Sequence, residues 1–75
     1  MNKARRKEIA RAIELMEQAY EILEVVCGDE QQAFDNMPES LQCSERGEDM
    51  EANIYAIEAA LDGLDTSGLQ EIVDG

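Results

Sequence analysis

Histidine is absent from this 75-residue chain, and tryptophan with it. Without imidazole there is neither the commonest general base nor the commonest metal ligand. Ser40, Ser44 and Ser67 have no base to activate them, and Cys27 and Cys43 have no imidazolium partner. Two cysteines are too few for a disulfide-stapled secreted scaffold. The expectation is reduced thiols in a cytoplasmic setting, packed as small apolar groups; a Cys27–Cys43 bridge is the alternative. No uncharged run approaches the ~20 residues of a membrane helix, so no membrane contact is expected. The basic start is followed by no apolar stretch, so a secretory signal is not expected either. The Glu-x-x-His pattern of di-iron bundles, a calcium-loop ladder and a glycine-rich phosphate loop are all missing. The chain reads as a non-enzyme without metal or cofactor.

Cations are the next scarcity. Five Lys and Arg fall within residues 1–11 against Glu8, net +4, and only Arg46 follows. The remaining seventeen acids leave residues 12–75 at −16, within a total of −12. A body this negative repels DNA and anionic lipid. Direct nucleic-acid binding through Lys3–Arg11 would require the rest to be held away from the phosphates. High charge with only 4% aromatics can signal disorder. Against disorder stand 44% hydrophobic residues arranged with a strict period. At this length they form one domain, residues 1–75.

Ile9, Ile13, Met16, Tyr20, Leu23 and Cys27 recur at heptad spacing, predicting a helix over about 3–27. Asn2 would cap its start and Gly28 its end. A second seam, Ala12, Leu15, Ala19, Ile22 and Val26, runs beside the first. Residues 28–40 read as a connector holding one short turn over 30–35, with Phe34 plugging the hairpin end. A second long helix is predicted over about 39–64, on Cys43, Gly47, Met50, Ile54, Ile57, Leu61 and Leu64. Its second seam is small: Ala52, Ala56, Ala59, Ala60 and Gly63. Ser44-Glu45-Arg46-Gly47 reads as a kink or a second start. Residues 67–73 read as a short third helix or a frayed tail. The fold class is all-α: an antiparallel helical hairpin with short accessory helices. Its double-width apolar faces need a neighbour, so two hairpins are expected to pair as a homodimer in a four-helix bundle; the alternative is a monomer whose exposed apolar strip is kept for a different partner.

Glu14, Glu17, Glu21 and Glu24 lie in a row beside the seam of the first helix. Like charges at this spacing cost a few tenths of a kcal/mol each. The second helix adds Glu45, Glu48, Asp49, Glu51, Glu58, Asp62 and Asp65. Such rows are either a solvated face or an anionic surface aimed at a cationic partner. Their charge density is of the order of one nucleic-acid strand, which suits a nucleic-acid channel in a host protein. Lys3, Arg5, Arg6 and Lys7 sit at the positive end of a helix dipole. They are expected to pair with Glu58, Asp62 or Asp65 across the hairpin, or to contact a phosphate or an acidic partner directly.

The run Glu30-Gln31-Gln32-Ala33-Phe34-Asp35-Asn36-Met37-Pro38-Glu39-Ser40-Leu41-Gln42, then Ser44-Glu45-Arg46-Gly47-Glu48 and Met50-Glu51, is motif-like. It resembles a group of short acidic proteins from bacteriophages and mobile elements of Gram-positive bacteria. In these a charged helix leads through Phe-Asn-Leu-Pro-Glu-Ser-Leu-Gln into a Glu/Ala/Leu-rich helix. Met37 stands where leucine is usual and Cys43 where a polar residue is usual. The resemblance carries no functional residues; it implies viral origin and a small protein acting by binding in the bacterial cytoplasm. The connector is either a hairpin cap or a binding site. The partner-binding residues expected are Glu14, Glu17, Glu21, Glu24, Phe34, Arg46, Glu48, Asp49 and Glu51, directed at a host protein with a basic surface. The alternative is a coiled-coil assembly module acting by self-association.

Overall fold

Four α-helices and no strand make up the chain in the computed structural model, which describes every residue from Met1 to Gly75. They are α1 (Lys3–Asp35), α2 (Glu39–Gln42), α3 (Glu45–Gly63) and α4 (Ser67–Asp74). α3 packs beside the C-terminal half of α1, and α4 beside its N-terminal half. The molecule is a rod of 57 × 14 × 13 Å with a radius of gyration of 17.5 Å. A compact chain of this length would measure about 11 Å. The antiparallel helix pair is present. A four-helix bundle is not, because a cross-section of 14 × 13 Å holds two helix axes about 8–10 Å apart and no more.

The first correction concerns the end of α1. The helix does not stop at Cys27 but continues eight residues further, to Asp35. Gly28 keeps a helical backbone, with no positive φ at any glycine. Its cost of about 1 kcal/mol is local. It is outweighed because Cys27, Glu30 and Phe34 extend the seam at spacings of three and four, and all three are partly buried. The segment expected as a separate turn over 30–35 is the last part of α1. Termination comes at Asn36, whose N–H donates to the Gln32 carbonyl at 3.0 Å. Pro38 then prevents continuation.

The second correction splits the helix expected over 39–64. α2 is a single turn whose Leu41 and Gln42 N–H groups donate to the Pro38 carbonyl at 2.9 and 3.0 Å. Ser44 then starts α3 afresh. Its hydroxyl donates to the Leu41 carbonyl and accepts from the Gly47 N–H at 3.4 Å. Gly47 is buried against the end of α2. A Cβ there would collide with the Gln42 carbonyl oxygen and stand 2.6 Å from the Leu41 oxygen. Only glycine lets these two backbones meet. Gln42 Nε2 donates to the Phe34 carbonyl at 2.9 Å, tying α2 to the end of α1.

α4 covers what α3 is too short to reach. At about 1.5 Å per residue the 33 residues of α1 extend ~50 Å, while the 19 of α3 extend ~28 Å. Asp65 Oδ1 accepts from the Ser67 N–H at 3.0 Å, so an aspartate turn opens α4. The Gln70 side chain donates to Asp74 at 3.1 Å, one turn further along α4. Val73 lies against Lys3, Arg6, Lys7 and Ala10. Arg6 Nε is buried there without a hydrogen-bond partner.

The apolar core is thin. Ile13 at 4% exposure and Ile54 at 3% are its only buried apolar side chains, and neither is fully enclosed. Ile9, Met16, Leu23, Ile57, Leu61, Leu69 and Val73 are partly buried along the same seam. The second seam of α1 faces away from both packed helices: Leu15 is 56%, Ile22 64% and Val26 45% exposed. Cys27 and Cys43 are both free thiols.

Candidate functional site

The packed seam fixes how each helix is rotated, and that rotation sorts the remaining side chains. Successive residues turn by about 100° around a helix. Glu14, Glu17, Glu21 and Glu24 therefore share an arc of about 80° on α1, adjoining the seam. Glu48, Glu51, Tyr55, Glu58 and Asp62 share a comparable arc on α3. Because the helices run antiparallel, these two arcs come to the same side of the rod. Two shallow grooves between the helices record this. One is lined by Glu17, Tyr20 and Glu21 from α1 and by Leu61, Asp62, Leu64, Asp65 and Thr66. The next is lined by Gln31 and Phe34 opposite Glu51, Ile54, Tyr55 and Glu58.

Neither groove contains a Lys or Arg. The acids expected to neutralise the basic N-terminus are thus found elsewhere. Asp62 and Asp65 face Glu17 and Glu21 midway along α1, while Lys3, Arg6 and Lys7 sit beside α4. The cause is the extra length of α1, which moves its N-terminus well beyond the end of α3. No Lys or Arg side chain takes part in a side-chain hydrogen bond. Asp65 has a displaced titration. The Ser67 backbone N–H, followed by the Ser67 hydroxyl, holds its carboxyl below the usual aspartate value of 3.8. Hydrogen bonds donated to the charged carboxylate in this aspartate turn favour its ionised form.

The residues singled out in the sequence are only partly brought together. Glu17 and Glu21 line the first groove; Glu51 and Phe34 line the second. Glu14, Glu24 and Glu48 extend the same exposed flank. Asp49 lies about 160° around α3 from Glu51 and does not share it. Arg46 lies about 140° from Glu51, exposed in the first turn of α3. Phe34 is half-buried, and its carbonyl anchors Gln42, so it belongs to the hairpin cap as well as to the groove. Tyr55, Glu58, Asp62 and Asp65 line the grooves as well; the last three are among the acids expected in a row on the second helix but not among the expected partner-binding residues. The signal was available: Glu51, Tyr55, Glu58 and Asp62 repeat at spacings of 4, 3 and 4, close to the rhythm of the glutamates on α1.

Chemically, the flank offers acceptor oxygens and negative potential. Its carboxylates suit ammonium and guanidinium groups, which they can bind by charge-assisted hydrogen bonds. No group of three or more His, Cys, Asp or Glu is arranged to hold a metal ion. No helix is long and apolar enough to cross a membrane. Comparison with protein-family models, curated proteins and solved structures finds no match to this chain.

Proposed function

We propose that this chain is a phage-type, non-enzymatic binding protein that engages a bacterial host protein through its acidic flank. The observation that carries this reading is the convergence of two carboxylate rows, from α1 and α3, on one side with no cation among them. Self-repulsion there costs the free protein stability. A basic partner removes that cost on binding, so affinity and encounter rate both draw on the same rows. The target would present Lys and Arg at the spacing that tracks a nucleic-acid strand. An inhibitor of a defence system or of another nucleic-acid-handling enzyme in the bacterial cytoplasm is the most concrete form. The test is affinity capture from a bacterial lysate, followed by the molar mass of the complex and its salt dependence. A captured basic protein released as salt rises supports the reading. Affinity unchanged between low and physiological salt contradicts it.

A second reading has its own support. The stripe of Leu15, Ile22 and Val26 stands open on the other side of α1. It suits a homodimeric assembly module, two hairpins completing a four-helix bundle that a single chain lacks. The two readings are compatible, since they use different flanks. Tight self-association with no captured host protein would favour the assembly module alone.

A further inference from the structure

The exposed stripe of α1 is self-complementary when read in both directions. Ala12, Leu15, Ala19, Ile22 and Val26 follow spacings of 3, 4, 3 and 4. One more step of 3 reaches Asp29, and steps of 4 and 3 backwards, through Glu8, reach Arg5. All of these are exposed except Ala19, which is half-buried. The set is symmetric about position 17. Facing an inverted copy of itself, Ala12 meets Ile22 and Leu15 meets Ala19, so in the apolar middle of the stripe a large side chain meets a small one. At the ends, Arg5 of each chain meets Asp29 of the other, and Glu8 falls opposite Val26. In a parallel pairing Leu15 would meet Leu15, Arg5 would meet Arg5 and Asp29 would meet Asp29. Size and charge therefore both select the inverted arrangement.

We infer that a second copy of this chain docks on this stripe, its α1 antiparallel to the first across a two-fold axis near residue 17. This inference rests on the self-association reading and adds its geometry. Such a pair is isologous and closes on itself. The surface area supports a partner of this size. The single chain exposes 5658 Å², whereas a folded monomer of 8.4 kDa is expected to expose about 4600 Å². The excess, about 1000 Å², is close to the ~800 Å² that each partner buries in a standard interface. Electrostatics permits the approach as well. At −12 per chain two copies repel, but between Ala12 and Val26 the stripe carries no charge. The glutamate row lies about 150° away around α1. The inverted arrangement also sets the basic N-terminal turn of each chain beside the acidic end of the other's α1, where Asp29, Glu30 and Asp35 have no Lys or Arg in the surrounding sequence from residue 12 to 45.

The test is sedimentation equilibrium of the full chain at low salt, as wild type, Arg5→Asp, Asp29→Arg and the double variant. The wild type should have about 17 kDa, twice the chain mass of 8.4 kDa. Each single reversal introduces two repulsive contacts per dimer and should raise the dimer dissociation constant about tenfold or more. The double variant, which restores the pairs with signs exchanged, should return to within a few-fold of wild type. A wild type that stays monomeric at every concentration overturns both the self-association reading and this geometry. A dimer indifferent to the single reversals, or not recovered in the double variant, overturns the inverted arrangement while self-association stands. Leu15→Glu places a charge at the centre of the stripe and should abolish the dimer while circular dichroism keeps its helical signal. A Leu15→Glu protein that remains dimeric overturns the stripe as the interface.

Discussion

Two flanks of α1 lie about 150° apart on one helix and carry opposite chemistry. One holds Glu14, Glu17, Glu21 and Glu24; the other holds Leu15, Ile22 and Val26. The seam of Ile9, Ile13, Met16 and Leu23 lies between them and is the part that packs. The glutamates and the exposed apolar residues contribute little to folding in the single chain. The glutamates repel one another, and Ile22 remains 64% exposed. Solubility would be served as well by charges spread around the helix. Sorting them leaves each flank with one chemistry.

The contrast between seam and flank gives the largest predicted effect. Ile54→Ala removes a side chain that is 3% exposed and should cost about 2–5 kcal/mol. In a chain with so thin a core, most of the helical signal should be lost at room temperature. Ile22→Ala should cost the folded single chain under about 1 kcal/mol, because that side chain is already in water. Denaturant titrations at low protein concentration compare the two. Equal losses would mean that the flank is part of the core.

Two glycines, one within α1 and one at the start of α3, sharpen the same comparison. Gly47→Ala adds a methyl that collides with the backbone of α2, and should destabilise by about 1–3 kcal/mol. Gly28→Ala meets no atom within 4 Å and should stabilise by about 0.5–1 kcal/mol through helix propensity. Thermal melts of both variants should move in opposite directions.

On the acidic flank the expected effects on stability are smaller and reversed in sign. Glu21→Gln and Asp62→Asn should each raise stability by a few tenths of a kcal/mol, because each relieves repulsion. The melting temperature of the wild type should rise with added salt, and that of the double variant should rise less. The smallest effect belongs to Asp65. Its carboxyl titrates below the ordinary value when folded, so its contribution to the start of α4 is full above about pH 3.8. It fades as pH falls through the lowered value. The difference in helical signal between wild type and Asp65→Ala should therefore vanish in acid and be constant near neutrality.

Much of this architecture was legible because its cause is periodic. The seams from Ile9 to Cys27 and from Gly47 to Leu64 predicted the antiparallel pair, and Ser44 could be read as a second helix start. Gly28 misled because a glycine after a periodic run resembles a helix end. Whether it ends one depends on the tertiary contact of Phe34 with α3, which no local pattern contains. That one error in length displaced the rest. A shorter α1 would have set Asp62 and Asp65 beside Lys3 and Lys7; the real α1 sets them beside Glu17 and Glu21. The rows were visible as rows, but their convergence depended on a helix end.

The most direct test of the acidic flank as a recognition surface compares wild type with Glu17→Gln/Glu21→Gln/Glu58→Gln/Asp62→Asn in capture from a bacterial lysate. At low salt the wild type should retain a basic host protein, lose it progressively as salt is raised, and compete for it with the host protein's nucleic acid. The fourfold variant should fold at least as well and retain little or nothing. Equal capture by the two proteins, at every salt concentration, would contradict the account.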